Sequence, residues 1–463
     1  MSRILAERRL CLLLFGQLLS TFAGNALWLA VGISVKSLTG NVSAVGTVLL
    51  AYLLGALCAP LAAPLVDRFP RTAVVVVTNL LTAGVVSLLA PVHTLHDVWL
   101  VHPVMAGFGL AKGIVESAQT ALVQTVAPAE LFGAAGSASA VIQQGVKLLA
   151  PLLGVGLLTT AGLGAVVAVT VAAFLAESVL ICALRINESA APRDARGLFA
   201  GAGAGLRHVL HIPVLRRAAF SAALAMAAFG FSQTIMFAVA ARTIDRPDSF
   251  VGVLVSGQGV GAVAAGLLAP KVMKAAGAQR LAALGMAAAA LGYTLELPPA
   301  TASVLMGVAL LGAGSSWLGI GVITLVLHLT PSEVIGRTEA AVGLMLSATQ
   351  ALAVATAAGA IDTVDHRILI LLCVGLLGLA AARLRAPAVP ALALHTERAR
   401  RKGPCPDEHR TRRRHGRVHE FADLLHTGRL GRRHRNLHQQ AVAARTEGLH
   451  PAAIHRAPRP GRT

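Results

Sequence analysis

The sequence predicts an all-α membrane protein with twelve transmembrane helices in two six-helix bundles. Three observations predict it. The chain of 463 residues is 55% hydrophobic and only 13% charged, with a mean hydropathy of +0.70, which leaves too little polar surface to clothe a soluble globule. Its apolar stretches run unbroken for about 20 residues, the length a helix needs to cross the hydrocarbon core, whereas barrel strands alternate over about ten. A Pro-x-Glu-x-x-Gly pattern also recurs: Pro128-Ala129-Glu130-Leu131-Phe132-Gly133 and, 203 positions later, Pro331-Ser332-Glu333-Val334-Ile335-Gly336. Parallel repeats of this kind give two bundles related by an axis along the membrane normal.

Taken in order, the first six spans fall at about 10–34, 43–66, 72–91, 98–125, 134–160 and 162–184, and the second six at about 214–241, 249–272, 279–297, 301–328, 337–361 and 368–385. Arg8 and Arg9 ahead of Leu10 to Leu19 imitate a secretory signal, but apolarity continues to Ile33 with no small-x-small cleavage pattern. The segment reads as the first span. The domains are therefore an amino-terminal bundle over 1–184, a cytoplasmic linker over 185–213 with a short amphipathic helix around Leu206 to Ile212, a carboxy-terminal bundle over 214–388, and a basic tail over 389–463.

Charge sets the orientation. The net charge is +19, yet from Ala391 onward there are 17 Lys/Arg against 6 Asp/Glu, leaving 23 against 15 for the body. With the amino terminus inside, the inner segments hold seventeen of those 23, while the outer ones hold Lys36, Arg242, Arg246 and Arg367. Both termini are expected in the cytoplasm and the chain in the plasma membrane. The tail, with Arg412-Arg413-Arg414-His415 and Arg432-Arg433-His434-Arg435, has three readings: a solvated segment on anionic lipid, a nucleic-acid-binding arm, or an out-of-frame extension. Nucleic acid is the least favoured, so none is expected as a partner. The five cysteines are scattered singly, and no zinc or disulfide spacing appears. No Ser/His/Asp, metal or phosphate-cradling motif lies in any loop, so neither an enzyme nor a cofactor is implied.

The same Pro-x-Glu offset sets Ala63-Pro64-Leu65-Val66-Asp67-Arg68 against Gly266-Leu267-Leu268-Ala269-Pro270-Lys271, placing Pro270 opposite Asp67. Asp67, Arg68 and Arg71 form a charge cluster in a tight turn between two spans, where they can neutralise one another at the headgroups. Inside the fourth span Lys112 and Glu116 stand at i and i+4, and Gln119 continues their face by one turn; Lys147 lies in the middle of the fifth. A charge near the bilayer centre costs about 2.5 kcal/mol or more, so these groups should face water or each other. One reading gives Lys112, Glu116 and Lys147 to substrate or proton handling, with Glu116, expected to be buried, as the proton carrier; the other is a self-neutralising pair with a snorkelling Lys147. Glu177, in the sixth span, is expected to have a structural partner or a headgroup contact. Aromatic residues are only 4% of the chain, and two in-span lysines against one acid suggest an anionic or zwitterionic cargo.

The run Ala63-Pro64-Leu65-Val66-Asp67-Arg68-Phe69-Pro70-Arg71-Thr72 resembles the loop signature Gly-x-Leu-x-Asp-Arg-x-Gly-Arg-Arg of the major facilitator superfamily, with departures at Ala63, Pro70 and Thr72. Gly16-Gln17-Leu18-Leu19-Ser20, Leu38-Thr39-Gly40 with Ser43-Ala44-Val45-Gly46, and His211-Ile212-Pro213-Val214-Leu215-Arg216 look like its macrolide-efflux-like and enterobactin-exporter-like branch. The resemblance covers about residues 10 to 385. It implies a monomeric, proton-driven exporter of a small drug-like or secondary-metabolite molecule, with siderophore export or a non-transporting receptor of the same fold as alternatives. It also implies a conformational latch at Asp67, Arg68 and Arg71, where the bland reading is a positive-inside anchor, and a cavity lined by the fourth and fifth spans. Asn25 stands where relatives often carry Asp. Ala150, Pro151 and Gly154 are similar to the exporters' Gly-Pro-x-x-Gly-Gly helix-packing pattern, with Ala150 and Val155 departing from it.

Overall fold

A computed structural model describes residues 7–66, 69–128, 131–184, 198–331 and 334–385. Every regular element among them is helical: α1 Arg8–Thr39, α2 Val42–Val66, α3 Arg71–Ser87, α4 Val98–Val126, α5 Phe132–Ala183, α6 Leu198–His211, α7 Pro213–Ala238, α8 Val251–Leu295, α9 Thr301–Leu329, α10 Ile335–Ala360 and α11 His366–Arg385, with short 3-10 or π turns between some of them. Asp67, Arg68, Glu130, Glu333 and the tail lie outside the described residues, as does most of the linker up to Gly197.

Local chemistry sets the helix ends. α1 stops at Gly40, whose left-handed φ of 71° lets its N–H bond back to the Lys36 carbonyl. Thr94 and Asp97 form a capping box just ahead of α4. α7 opens on Pro213, whose missing N–H costs nothing in a first turn.

Among the described residues nine helices are long and apolar enough to cross a membrane, and α3, at 17 residues, is a shorter apolar helix. Two of the nine are broken rods. α5 turns at Gly162 (φ 77°, ψ 177°) and α8 at Gly277 (φ 80°, ψ 164°), a backbone region open to glycine alone. These breaks fall between the stretches read from the sequence as the fifth and sixth, and the eighth and ninth, spans. Large apolar side chains such as Trp99, Val179 and Leu267, about 68%, 68% and 76% exposed, form the outward faces. Lipid can cover such faces because helices satisfy their own backbone groups.

Glycine contacts weld helices into pairs. A Cβ on Gly55 would strike the Ala106 carbonyl and one on Gly109 the Tyr52 carbonyl, locking α2 to α4. A Cβ on Gly261 would strike the Ala309 carbonyl and one on Gly312 the Gln258 carbonyl, locking α8 to α9. These are one set of contacts repeated: 203 residues separate Ala106 from Ala309 and Gly109 from Gly312, whereas 206 separate Tyr52 from Gln258 and Gly55 from Gly261. The repeat therefore carries a three-residue shift after the second span. The counterpart of Asp67 becomes Met273 rather than Pro270, and that of Arg68 becomes Lys274. Pro270 itself lies inside α8, before the break at Gly277.

Contacts divide the helices into a first half (α1 to α5) and a second (α7 to α11), joined chiefly through α5 with α8 and α2 with α10. The linker helix α6 packs on α10, where Gly205 meets the Arg337 carbonyl. Two apolar clusters stay within the first half, one around Met105, Phe108 and Phe174 and one around Leu10, Leu122 and Ile181. The largest crosses between halves: Ile33, Val42, Val45 and Val155 join Phe237, Val251, Val354 and Ile361. All of these lie toward the end that bears Lys36, so that end is sealed by shared core.

Candidate functional site

Below the seal, midway along the helices, lies a cavity of about 500 Å³. The first half supplies Asn25 from α1, Lys112 from α4 and Lys147 from α5; the second supplies Gln233, Gln258 and Gln350 from α7, α8 and α10. One wall thus carries ammonium groups and the facing wall neutral amides. Among the described residues no carboxylate lines it. The Lys112 Nζ pairs with Glu116 Oε1 at 3.2 Å, while Lys147 has no ion-pair partner among the described residues. The arrangement can receive an anion: Lys147 and the ion-paired Lys112 both line a ligand-sized space, and the amides can turn either donor or acceptor to the cargo.

Helix α5 brings Lys147 to this wall through a close seam. A Cβ on Gly259 of α8 would lie 3.0 Å from the Lys147 carbonyl and 2.8 Å from the Leu148 Cα, and one on Gly252 would meet Val155 at 2.8 Å and the Pro151 carbonyl at 3.3 Å. Gly154 faces the other way, its would-be Cβ 2.7 Å from Ala26 of α1. Ala150 is fully buried beside them. Ala150, Pro151 and Gly154 therefore hold α5 against α1 and α8 together.

At the sealed end the Lys36 Nζ crosses between halves to Asp248 Oδ1 at 2.5 Å and to the Phe237 carbonyl at 3.1 Å, 5.9 Å from the Phe237 ring centre. The Lys36 side chain is only 8% exposed and that of Asp248 27%. Gly46 of α2 fits against Ala358 of α10 close by, with no room for a side chain.

The Major Facilitator Superfamily model matches residues 13–354. The chain belongs to the major facilitator superfamily. It is a membrane transporter, not an enzyme. No curated protein matches it. Among solved structures it is similar to a bacterial homologue of the iron transporter ferroportin in an inward-facing state, at 16% identity over 81% of this chain and 98% of that one, with a TM-score of 0.66. The outward-facing state of a bacterial ferroportin homologue with soaked iron also matches, at 16% identity over 81% and 98%, but with a TM-score of 0.56. An auto-inhibited peptide transporter of the POT family matches at 13% identity over 82% of this chain and 98% of that one, TM-score 0.66.

In this superfamily member the structure brings Asn25, Lys112 and Lys147 together, with Asn25 also donating to the Thr21 carbonyl at 2.8 Å. Two expectations are corrected. Glu116 is not buried, its side chain being 53% exposed, because it stands on the face of α4 that turns away from the helix packing. Gln119 does not extend the cavity wall: it is 3% exposed and its amide donates to Glu177 Oε1. Of the latch residues only Arg71, the first residue of α3, is among those described.

Sequence reasoning left two features unidentified. Glu177, expected to have a structural partner or a headgroup contact, is fully buried and has structural partners, but their identity, Asn79 and Gln119, was not foreseen. The signal for its surroundings was Asn79, a lone amide in the third span. The Lys36–Asp248 pair joins residues 212 apart, and its only trace in the sequence is opposite charge on two outer segments.

Proposed function

We propose that this superfamily member is a secondary active transporter of the macrolide-efflux-like branch, a proton-coupled exporter of a small anionic or zwitterionic drug-like or secondary-metabolite molecule, siderophore-like acids included. The observation that carries the reading is the cavity between the halves, where Lys147, without an ion-pair partner among the described residues, and Lys112, paired with Glu116, face amides and no carboxylate lines the wall. In this reading the chain crosses the plasma membrane twelve times as a monomer, with the breaks at Gly162 and Gly277 each dividing one helix into two crossings. The basic residues put the Lys36 end outside and both termini inside. The structure then corresponds to an inward-facing state of an alternating-access cycle. Asp67, Arg68 and Arg71 act as the inner latch of the opposite state, and Glu116, open to the cleft and paired with Lys112, takes up protons.

Efflux driven by a pH gradient from vesicles holding the purified protein, run against a panel of metabolites and drugs, tests this. Transport of acidic members by the wild type and its loss from the gradient-driven mode in Glu116→Gln are the expected results; wild-type coupling in Glu116→Gln removes Glu116 from the proton route. Lys147→Gln is expected to weaken binding of an anionic cargo about tenfold, or about 1.4 kcal/mol, while leaving neutral compounds unaffected. Isothermal titration against matched charged and neutral members of the panel checks it.

A further inference from the structure

A second polar centre lies inside the first half, apart from the central cavity. Glu177 of α5 is 0% exposed. Asn79 of α3 donates its Nδ2–H to Glu177 Oε2 at 2.9 Å, Gln119 of α4 donates its Nε2–H to Oε1, and the Ser20 hydroxyl of α1 faces the same carboxyl group. Gly16 of α1 closes the remaining side, its would-be Cβ 3.2 Å from Glu177 Cγ. Four helices thus converge on one carboxyl group, and every donor to it among the described residues is neutral.

The charged groups on these helices are few. α4 carries Lys112 and Glu116, two turns and one turn before Gln119; α1 carries Arg8 and Arg9 at its start and, at its far end, Lys36, which pairs with Asp248; α3 carries Arg71 at its first residue; α5 carries Lys147, which lines the central cavity. Asp67, Arg68 and Glu130 lie outside the described residues. None of the described cations forms an ion pair with Glu177.

A carboxylate that only had to tie four helices together could be a glutamine, whose burial carries no charge. Burying an anion without a cation costs several kcal/mol, and binding a proton removes that cost. A space of about 30 Å³, room for a water or two, is bordered by Ser20, Asn79 and Gln119 on one side and by Lys112 and Glu116 on the other. Glu177 itself does not line it, but Asn79 and Gln119, which donate to its carboxyl group, do, together with the Lys112–Glu116 pair.

We infer that Glu177 is a proton-binding site, filled and emptied from the central cleft through the water-sized space beside the Lys112–Glu116 pair. A proton taken from water neutralises the Glu116 carboxylate and releases Lys112 toward the cavity. Its transfer through the intervening water to Glu177 makes the buried group a neutral acid and restores the Lys112–Glu116 pair. The role of this site in transport rests on the proton-coupled reading above; its existence does not.

Infrared difference spectroscopy of the full-length protein in phospholipid vesicles, between acid and alkaline buffer, reads the protonated carboxyl band directly and needs neither cargo nor gradient. One component of the band is expected in the wild type and in Glu116→Gln and is absent from Glu177→Gln, so that it stands out in the difference between wild type and Glu177→Gln. In Gln119→Leu, which keeps the carboxyl group but removes one donor to its anion, the band should persist to higher pH. That variant also serves if Glu177→Gln fails to fold. A Glu177→Gln difference spectrum identical to that of the wild type, or a Gln119→Leu titration identical to the wild type, would overturn the site. Efflux that follows a pH gradient despite any of those outcomes would leave proton coupling standing with its carrier elsewhere.

Discussion

Asp248→Ala should open the sealed end of the transporter. Lys36 reaches across the two halves into a pocket where its side chain is 8% exposed, and Asp248 is its one carboxylate partner there. Removing Asp248 leaves a buried ammonium held by the Phe237 carbonyl and ring alone. Breaking a fully buried pair costs about 3–5 kcal/mol; with Asp248 27% exposed, about 1–3 kcal/mol is the appropriate scale. That energy is lost only where the halves meet, so it shifts the balance toward states open at this end by about five- to 150-fold. Spin labels at Asn41 and Thr363, both exposed near this end, would show a longer-distance population growing at the expense of the short one. An unchanged distance distribution in a well-folded Asp248→Ala protein would show that the shared apolar core alone holds the seal. The double replacement Lys36→Met with Asp248→Leu, which removes both charges and keeps apolar volume, should restore the closed population.

The second large effect concerns folding rather than state. Gly55→Val and Gly312→Val should each leave little folded protein, because the added side chain would meet a backbone carbonyl of the neighbouring helix rather than the yielding tip of a side chain. Overpacking of this kind costs about 1–3 kcal/mol when neighbours can relax, and more when only the helix axes can move. Gly156→Val and Gly319→Val enter open space and serve as controls; each should be close to neutral, since valine is no worse a helix former than the glycine it replaces. Detergent-extracted yield in a monodisperse peak and the thermal melting midpoint separate the two classes. Equal behaviour of Gly312→Val and Gly319→Val would refute the welded pairing of α8 and α9.

Much of the fold was legible because hydropathy reports the solvent a helix must face. The apolar runs located the helices, and the changes of pattern near residues 161 and 275 anticipated the glycine breaks in α5 and α8. The register of the repeat was not legible. The Pro-x-Glu offset set Asp67 opposite Pro270, and because a slip of three residues is close to one helical turn, the apolar pattern fits that register almost as well as the one that aligns Asp67 with Met273. Only the reciprocal contacts of Gly55 and Gly261 decide between them. The site was half legible for a similar reason. Spacing puts Lys112, Glu116 and Gln119 on one side of α4, but which helix covers which part of that side depends on packing. The structure divides it, giving Lys112 to the cavity and Gln119 to Glu177.

Lys147 occupies two places at once. Its side chain lines the wall that would receive cargo, and its carbonyl is the surface on which Gly259 of the opposite half rests. The helix pairs welded by glycine carry their packing with them as blocks, so relative movement of the halves falls on seams such as this one. In the alternating-access cycle proposed above, Lys147 lies at a fulcrum: a pivot of α8 there moves the second half's wall of the cavity relative to the ammonium group that α5 carries. A molecule bound at that charge would feel the rocking of the halves without any intervening relay.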